Sequence, residues 1–294
     1  MTREIYYDNS ATTRTREEAA KLVYEMLTDC YGNPSSLHRK GFAAQQRLEQ
    51  ARAQMAQALG CQPGEIYFTA GGTEADNLAI LGAARAQQRA GRRIVTTAIE
   101  HDAVLNTVAF LESEGWEIVR LKPDHEGRIS AQQVLDAVDG RTVLVSMMAV
   151  NNEVGSILPV GQVCRQLRKA YPRLLIHCDA VQAFGKEALK VGKALDVDFL
   201  TVSGHKIYAP KGCGALYIKK GSLFRPVSFG GGQEKNVRPG TEPIANLCAM
   251  GLSASLLMAE REENHKRVTE IRGALLEGLT KLPDICINSP ADST

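Results

Sequence analysis

The sequence predicts an α/β fold, a mainly parallel central sheet flanked by helices, on three observations. Short β-branched or apolar runs alternate with longer stretches of helical period through the middle of the chain, the pattern of crossover units. One of these runs passes through Gly71-Gly72-Thr73 into a helical stretch. Two others end in an acid and an amine, Asp179 and Lys206, at the edge where parallel sheets hold their ligands.

In chain order, the expected strands are Ile66 to Thr69, Arg93 to Thr97, Glu117 to Leu121, Val143 to Ala149, Leu174 to Cys178, Phe199 to Ser203 and Gly214 to Ile218. Between Arg39 and Leu59, the residues Ala44, Leu48, Ala51, Met55 and Leu59 recur at spacings of three and four, the apolar face of one helix. That helix is expected to pack on the sheet or on a second subunit. The apolar stretch from Ile244 to Met258 reads as a core helix, and Val268, Ile271, Leu275, Leu279 and Leu282 give a further helical stripe among charges. Arg165, Arg168 and Lys169 read as a solvated helix face. The tail from Cys286 begins like a strand and ends in Ser289-Pro290-Ala291-Asp292-Ser293-Thr294, which is loop chemistry. The change from glycine-rich loops to continuous helical pattern places a domain boundary near residue 260. The expected organisation is a large domain over 16–260 and the start of a smaller one over 261–294, joined by the amino-terminal segment 1–15.

Composition narrows the function classes. With 294 residues, 44% hydrophobic and 23% charged, the chain has the balance of an ordinary globular protein. A formal charge of +2 gives no electrostatic footprint for nucleic acid or an anionic membrane. Charges within Met1 to Asp8 leave no uninterrupted apolar stretch for a secretory segment, and the uncharged run from Pro243 to Ala259 suits a buried helix. The seven cysteines are scattered without a C-x-x-C pair, as reduced thiols in a cytoplasm would be. A soluble cytoplasmic protein acting on a small molecule or another protein is the expectation.

The residues that carry chemistry lie at strand ends. Phe68-Thr69-Ala70-Gly71-Gly72-Thr73-Glu74 reads as a phosphate cradle, in which glycines admit an anion to the first turn of a helix and Thr73 adds a hydroxyl. It also reads as a plain strand-to-helix turn. Asp179 is a site carboxylate or a helix N-cap, and Lys206 is a site amine or a solvated surface charge. Taken together the three suggest pyridoxal phosphate, whose chemistry needs an amine for a Schiff base, a carboxylate against the pyridine nitrogen and an anchor for the phosphate. Gly230-Gly231-Gly232-Gln233-Glu234 has neither a strand before it nor a helix promptly after it, so it reads as a mobile loop near a dimer interface.

Longer words extend the pattern: Tyr7-Asp8-Asn9-Ser10-Ala11-Thr12-Thr13, Asn33-Pro34-Ser35-Ser36-Leu37-His38, Gly71 to Asn77, Glu100-His101, Asn151-Asn152-Glu153-Val154-Gly155, Asp179 to Gln182, Ser203 to Lys206, Gly230 to Glu234 and Arg238-Pro239-Gly240-Thr241. In these words, and in their order, the sequence resembles the cysteine desulfurases of the NifS/IscS type, within the class V aminotransferase group of fold-type I pyridoxal phosphate enzymes. The resemblance implies that Lys206 is the Schiff-base lysine, that Asp179 pairs with the ring nitrogen and that Gln182 bonds the ring's phenolic oxygen. It implies that His101 stacks on the ring and shuttles protons. Gly72, Thr73, Ser203 and His205 would hold the phosphate, Thr241 would reach the phosphate of a neighbouring subunit in a homodimer, and Asn152 would lie beside the ring and the substrate carboxylate.

The implied reaction converts L-cysteine to L-alanine and leaves a persulfide on the enzyme, for delivery to an acceptor such as an iron–sulfur scaffold or a tRNA-thiolation pathway. Family members carry the sulfur-attacking cysteine on a loop, and the substrate-binding arginine with it, in a C-terminal region beyond the position of Thr294; these 294 residues contain no such loop. Cys178 should point away from a site that Asp179 faces, and Cys213 reads as a packed loop residue. The alternatives are a related lyase or aminotransferase such as a selenocysteine lyase, a catalytically silent cofactor-binding scaffold, and a nucleotide-binding α/β domain.

Overall fold

The computed structural model describes residues 5–192 and 194–293; the expectations for Met1 to Glu4 and for Thr294 lie outside them. Seven strands, β1 (Ile66–Thr69), β2 (Arg93–Thr97), β3 (Glu117–Leu121), β4 (Thr142–Met148), β5 (Leu175–Asp179), β6 (Phe199–Ser203) and β7 (Gly214–Ile218), form one sheet in the order β1-β7-β6-β5-β4-β2-β3. The five strands from β3 to β6 are mutually parallel, and β7 runs antiparallel to both β6 and β1. The mainly parallel α/β expectation is met. Five of the seven strands have the expected bounds, while β4 begins one residue earlier and β5 one residue later. The shift in β5 makes Asp179 its last residue, paired in register with Met148 on one side and Thr201 on the other.

Helices α1 (Glu17–Thr28), α2 (Arg39–Leu59), α3 (Gly72–Gln87), α4 (Asp102–Ser113), α5 (Ala131–Ala137), α6 (Val160–Ala170) and α7 (Ile244–Leu279) cover the sheet on both faces. Strands β4 to β7 are buried along their whole length, as parallel strands between two helical layers must be. The expected helix from Arg39 to Leu59 forms with those bounds. His38 Nδ1 accepts from Gly41 N at its start, and Gly60, left-handed at φ +77°, ends it. Its apolar face packs against α7, where a Cβ on Gly251 would stand 2.8 Å from Ala51 Cα; only glycine permits so close an approach.

Three sequence expectations change. The two helical stretches expected over 244–258 and 268–282 join in one helix of 36 residues, Ile244–Leu279, whose burial ends near position 260: Leu257 is buried while Val268, Ile271 and Leu275 are exposed. No strand forms after Cys286, because no ladder partner lies beside that segment among the described residues. Arg165 and Lys169 are solvated, but Arg168 folds inward, donating from Nη1 to Leu174 O at 2.7 Å and from Nη2 to Asp198 Oδ2 at 2.6 Å.

Glu234 departs from expectation most. Its carboxylate is buried, accepting from Arg52 Nη1 and Nη2 at 2.7 and 2.8 Å and from Phe68 N at 2.9 Å. Glu234, Lys235 and Asn236 all adopt left-handed backbone, at φ +45°, +55° and +66°, which costs roughly 1–3 kcal/mol for each such residue. The buried ion pair holds the turn against that cost, so this segment is anchored and not the loose loop its glycines suggest.

Candidate active site

The carboxyl ends of β4, β5 and β6 and the amino terminus of α3 converge on a cavity of about 550 Å³. Alternation along β5 sends Leu175, His177 and Asp179 to one face and Ile176 and Cys178 to the other. Asp179 therefore lines the cavity, while the Cys178 thiol lies wholly in the core, where burial pushes it far above its ordinary range. Cys213 is buried too, donating to Pro210 O at 3.0 Å. No cysteine is among the described residues lining the cavity.

The structure brings nearly all the expected site residues together. Gly72, Thr73, His101, Asn152, Gln182 and Ser203 line the cavity with Asp179, as do His205 and Lys206. A Cβ on Gly72 would meet Val181 Cγ2 at 2.9 Å and Ser203 Cβ at 3.5 Å, so glycine is what lets the start of α3 close against the ends of β5 and β6. Thr241 is exposed and not among the lining residues.

Lys206 ends a short 3-10 turn, Gly204–Lys206, directly after β6. Its ammonium donates to the carbonyls of Ser10 and, at 2.8 Å, of Ala11. Gln182 Nε2 donates to the same Ser10 carbonyl at 2.9 Å. Thr13 N and Oγ1 both donate to His205 O at 2.8 Å, and Thr13 Oγ1 accepts from Tyr208 N, which holds Tyr208 in a left-handed conformation at φ +62°. The segment from Asp8 to Arg16 is thus a strap across the lysine turn, fastened beyond it by the Arg16–Glu260 ion pair. Burial lowers the Lys206 amine, against the opposing pull of Asp8 and Asp179, which enlarges its uncharged, nucleophilic fraction near neutral pH.

His101 caps α4: its Nδ1 accepts from Ala103 N at 3.1 Å. The neutral ring therefore carries its proton on Nε2. Asn151 is buried and shapes the next loop, donating to Ile99 O and accepting from Glu153 N and Val154 N, whereas Asn152 is left in the cavity wall, donating to Glu153 Oε1 at 2.7 Å.

Beneath the cavity Asp179 is joined by two further buried acids, Asp76 and Glu100, to which the sequence assigns no role. Burial raises Asp179 to about 7, with Asp76 adding to the rise; it raises Asp76 to about 7 and Glu100 to about 8. Glu100 Oε1 accepts from Thr97 Oγ1 at 2.6 Å and Met148 N at 3.0 Å, and its Oε2 has no partner among the described residues. A signal for Asp76 existed: it shares its helix face with Ile80 and Ala83, both fully buried, so an acid occupies an apolar stripe. These carboxyls keep protons in the fold at pH values where the unfolded chain, with ordinary values of 3.8 and 4.5, has lost them. The folded state then binds more protons, and stability falls as pH rises. His177, lowered by burial from 6.5 to about 4, acts oppositely but only below 6.5, and Lys186, lowered to about 8, only above that value. Between about 6.5 and 8 the cofactor-free protein should therefore unfold at progressively lower urea concentration as pH rises; a flat or rising midpoint would contradict the buried-acid assignment.

A helix-flanked, mainly parallel sheet with an amine and a carboxylate at its strand ends is the architecture of fold-type I pyridoxal phosphate enzymes. Residues 5–294 match the family model described as aminotransferase class-V. The chain is 41% identical to a cysteine desulfurase IscS from Methanosarcina thermophila over 284 residues, 97% of this chain and 70% of that protein. A solved NifS-like protein superposes with a TM-score of 0.96 at 36% identity, covering 99% of this chain and 80% of the other. A second structure, SspA in complex with cysteine, gives 0.82 at 37% identity, covering 85% and 72%. The chain belongs to the class V aminotransferase family, among its cysteine desulfurases of the IscS/NifS type. The enzymes of this family depend on pyridoxal phosphate. No helix among the described residues is long and apolar enough to cross a membrane.

Proposed function

We propose that this cavity binds pyridoxal 5′-phosphate and performs the cofactor-dependent half of cysteine desulfuration, moving the α-proton of L-cysteine on the way to L-alanine. One observation carries the reading: Lys206 and Asp179, 27 residues apart by their numbers, line a single cavity against the amino terminus of α3. The residues present fit the cofactor. Gly72 lets the amino terminus of α3 sit against the ends of β5 and β6, where its free N–H groups and dipole favour a phosphate, and Thr73, Ser203 and His205 supply further donors around it. Asp179, fixed by Val181 N donating to its Oδ1 at 2.9 Å, holds the ring nitrogen, and Gln182 reaches the phenolic oxygen.

Bound there, pyridoxal phosphate supplies an electron sink that acidifies the substrate's α-carbon. Lys206 Nζ, freed from the Ser10 and Ala11 carbonyls, takes the proton from that carbon. His101, its ring oriented by the α4 cap, moves a proton at Nε2. Asn152 orients the substrate carboxylate, and the Asp8–Arg16 strap screens the lysine from water. The same proposal assigns Thr241 to the phosphate of a second copy in a homodimer, reads 16–260 as the cofactor domain, with 1–15 and 261–294 belonging to a smaller one, and places the protein in the cytoplasm. It names an iron–sulfur scaffold protein as the sulfur acceptor.

The test is exchange of the α-hydrogen of L-alanine, the product, with deuterated solvent in the presence of pyridoxal phosphate, which needs no sulfur-accepting thiol. His101→Ala should slow exchange by about 10²–10⁴-fold while leaving cofactor capture intact. Exchange absent from the unaltered protein, or indifferent to His101, would overturn the reading.

A further inference from the structure

The pocket floor contains more acid than holding a ring nitrogen requires. Asp76, in the second turn of α3, lines the same cavity as Asp179 and is 1% exposed, and its Oδ1 has no hydrogen-bond donor among the described residues. His177 Nε2 lies 3.4 Å from that oxygen. This histidine is itself enclosed, with Ser146 Oγ 2.8 Å from Nδ1 and Thr201 Oγ1 3.1 Å from Nε2, and burial keeps its ring neutral. Among the described residues Asp76 therefore has no cation to balance it, and its charge pushes up Asp179, its neighbour in the cavity lining.

We infer that Asp76 is a positioning residue that sets the charge of Asp179: the two buried carboxyls share one negative charge, and the proton retained by Asp76 leaves Asp179 as the anion of the pocket. Two like charges in a low-dielectric site cannot both persist near neutral pH. A cation presented at Asp179, such as a protonated ring nitrogen, selects the arrangement with the proton on Asp76. That last step rests on the cofactor reading above, whereas the coupling between the two carboxyls does not.

Titratable and polar groups face the two carboxyls from several of the surrounding elements. Glu100, from the turn after β2, is pushed up by both Asp179 and Asp76, His101, the cap of α4, lines the same cavity, and His177 of β5 stands neutral beside Asp76. Cys178, on the other face of β5, remains a thiol. Lys206, after β6, is raised by Asp179, and the Thr201 hydroxyl of β6 favours the ionised form of Asp76.

Asp76→Asn removes the charge and keeps the shape and the hydrogen-bonding capacity. With no anion beside it, Asp179 should ionise at lower pH. In cofactor-free protein labelled with 13C at the aspartate carboxyls, with the Asp179 resonance assigned through Asp179→Asn, the Asp179 midpoint should move down by about one unit or more, the coupling at which two sites cease to titrate independently. Thr201→Val, a milder change that makes Asp76 hold its proton longer, should move it the same way by less, and it serves if Asp76→Asn does not fold. The affinity for pyridoxal phosphate should then survive to lower pH in both variants than in the unaltered protein. A residue that merely packs would alter the unfolding midpoint and leave the Asp179 titration in place. An unchanged Asp179 midpoint in a folded variant overturns the inference. A shifted midpoint together with no cofactor binding at any pH supports the coupling and overturns the cofactor reading instead.

Discussion

Lys206→Ala abolishes the absorption band of captured pyridoxal phosphate and stops α-hydrogen exchange. The chain has other lysines, but Lys206 is the only one among the described residues lining the cavity, and its amine is lowered by burial toward the nucleophilic form. Lys206→Arg separates chemistry from architecture. Its guanidinium can still donate to the Ser10 and Ala11 carbonyls that hold the strap, but it stays charged and forms no imine. It should therefore match Lys206→Ala in both losses while keeping the unfolding midpoint of the unaltered chain. Full exchange in either variant would remove Lys206 from the mechanism.

The largest expected effect on stability lies far from that lysine. Arg52→Ala leaves the Glu234 carboxylate, 2% exposed at its side chain, buried without a counter-charge, and should cost about 3–5 kcal/mol. The guanidinium also donates to Ile66 O at 2.8 Å and stands 4.9 Å from the Phe68 ring centre, so it ties α2, β1 and the left-handed turn at 234–236 into one unit. Replacing both partners, as Arg52→Met with Glu234→Leu, should recover much of the loss, because neither buried charge then remains unpaired. Urea unfolding followed by circular dichroism reads both. A loss below about 1 kcal/mol for Arg52→Ala would place the pair among solvated surface bridges.

The contrast between these two residues shows what was legible in the sequence. Lys206 and Asp179 were found because strand ends are local signals, and the sheet carries both to the same edge. The orientation of Cys178 followed from alternation along β5 without knowledge of any contact. Glu234 and Arg168 were misread because whether a charged side chain is buried depends on partners far along the chain: Arg52 and Phe68 for one, Asp198 and Leu174 for the other. Glu100 was hidden for the same reason, since its acceptor role toward Met148 N appears only once β4 lies beside the turn after β2. The continuity of α7 was missed for a different one. A change from apolar to charged composition suggested two elements, although no proline interrupts the span and helical period runs through it. Local chemistry brought Asp179 and Lys206 to one cavity, and long-range packing supplied the acid layer beneath it.

Borohydride reduction of the protein mixed with pyridoxal phosphate, followed by peptide mapping, shows which amine holds the cofactor. A single pyridoxyl group is expected on the amine of Lys206, and none when Asp179→Ala removes the ring's anchor. A label spread over surface lysines, or fixed on another residue while Lys206 stays unmodified, would contradict it.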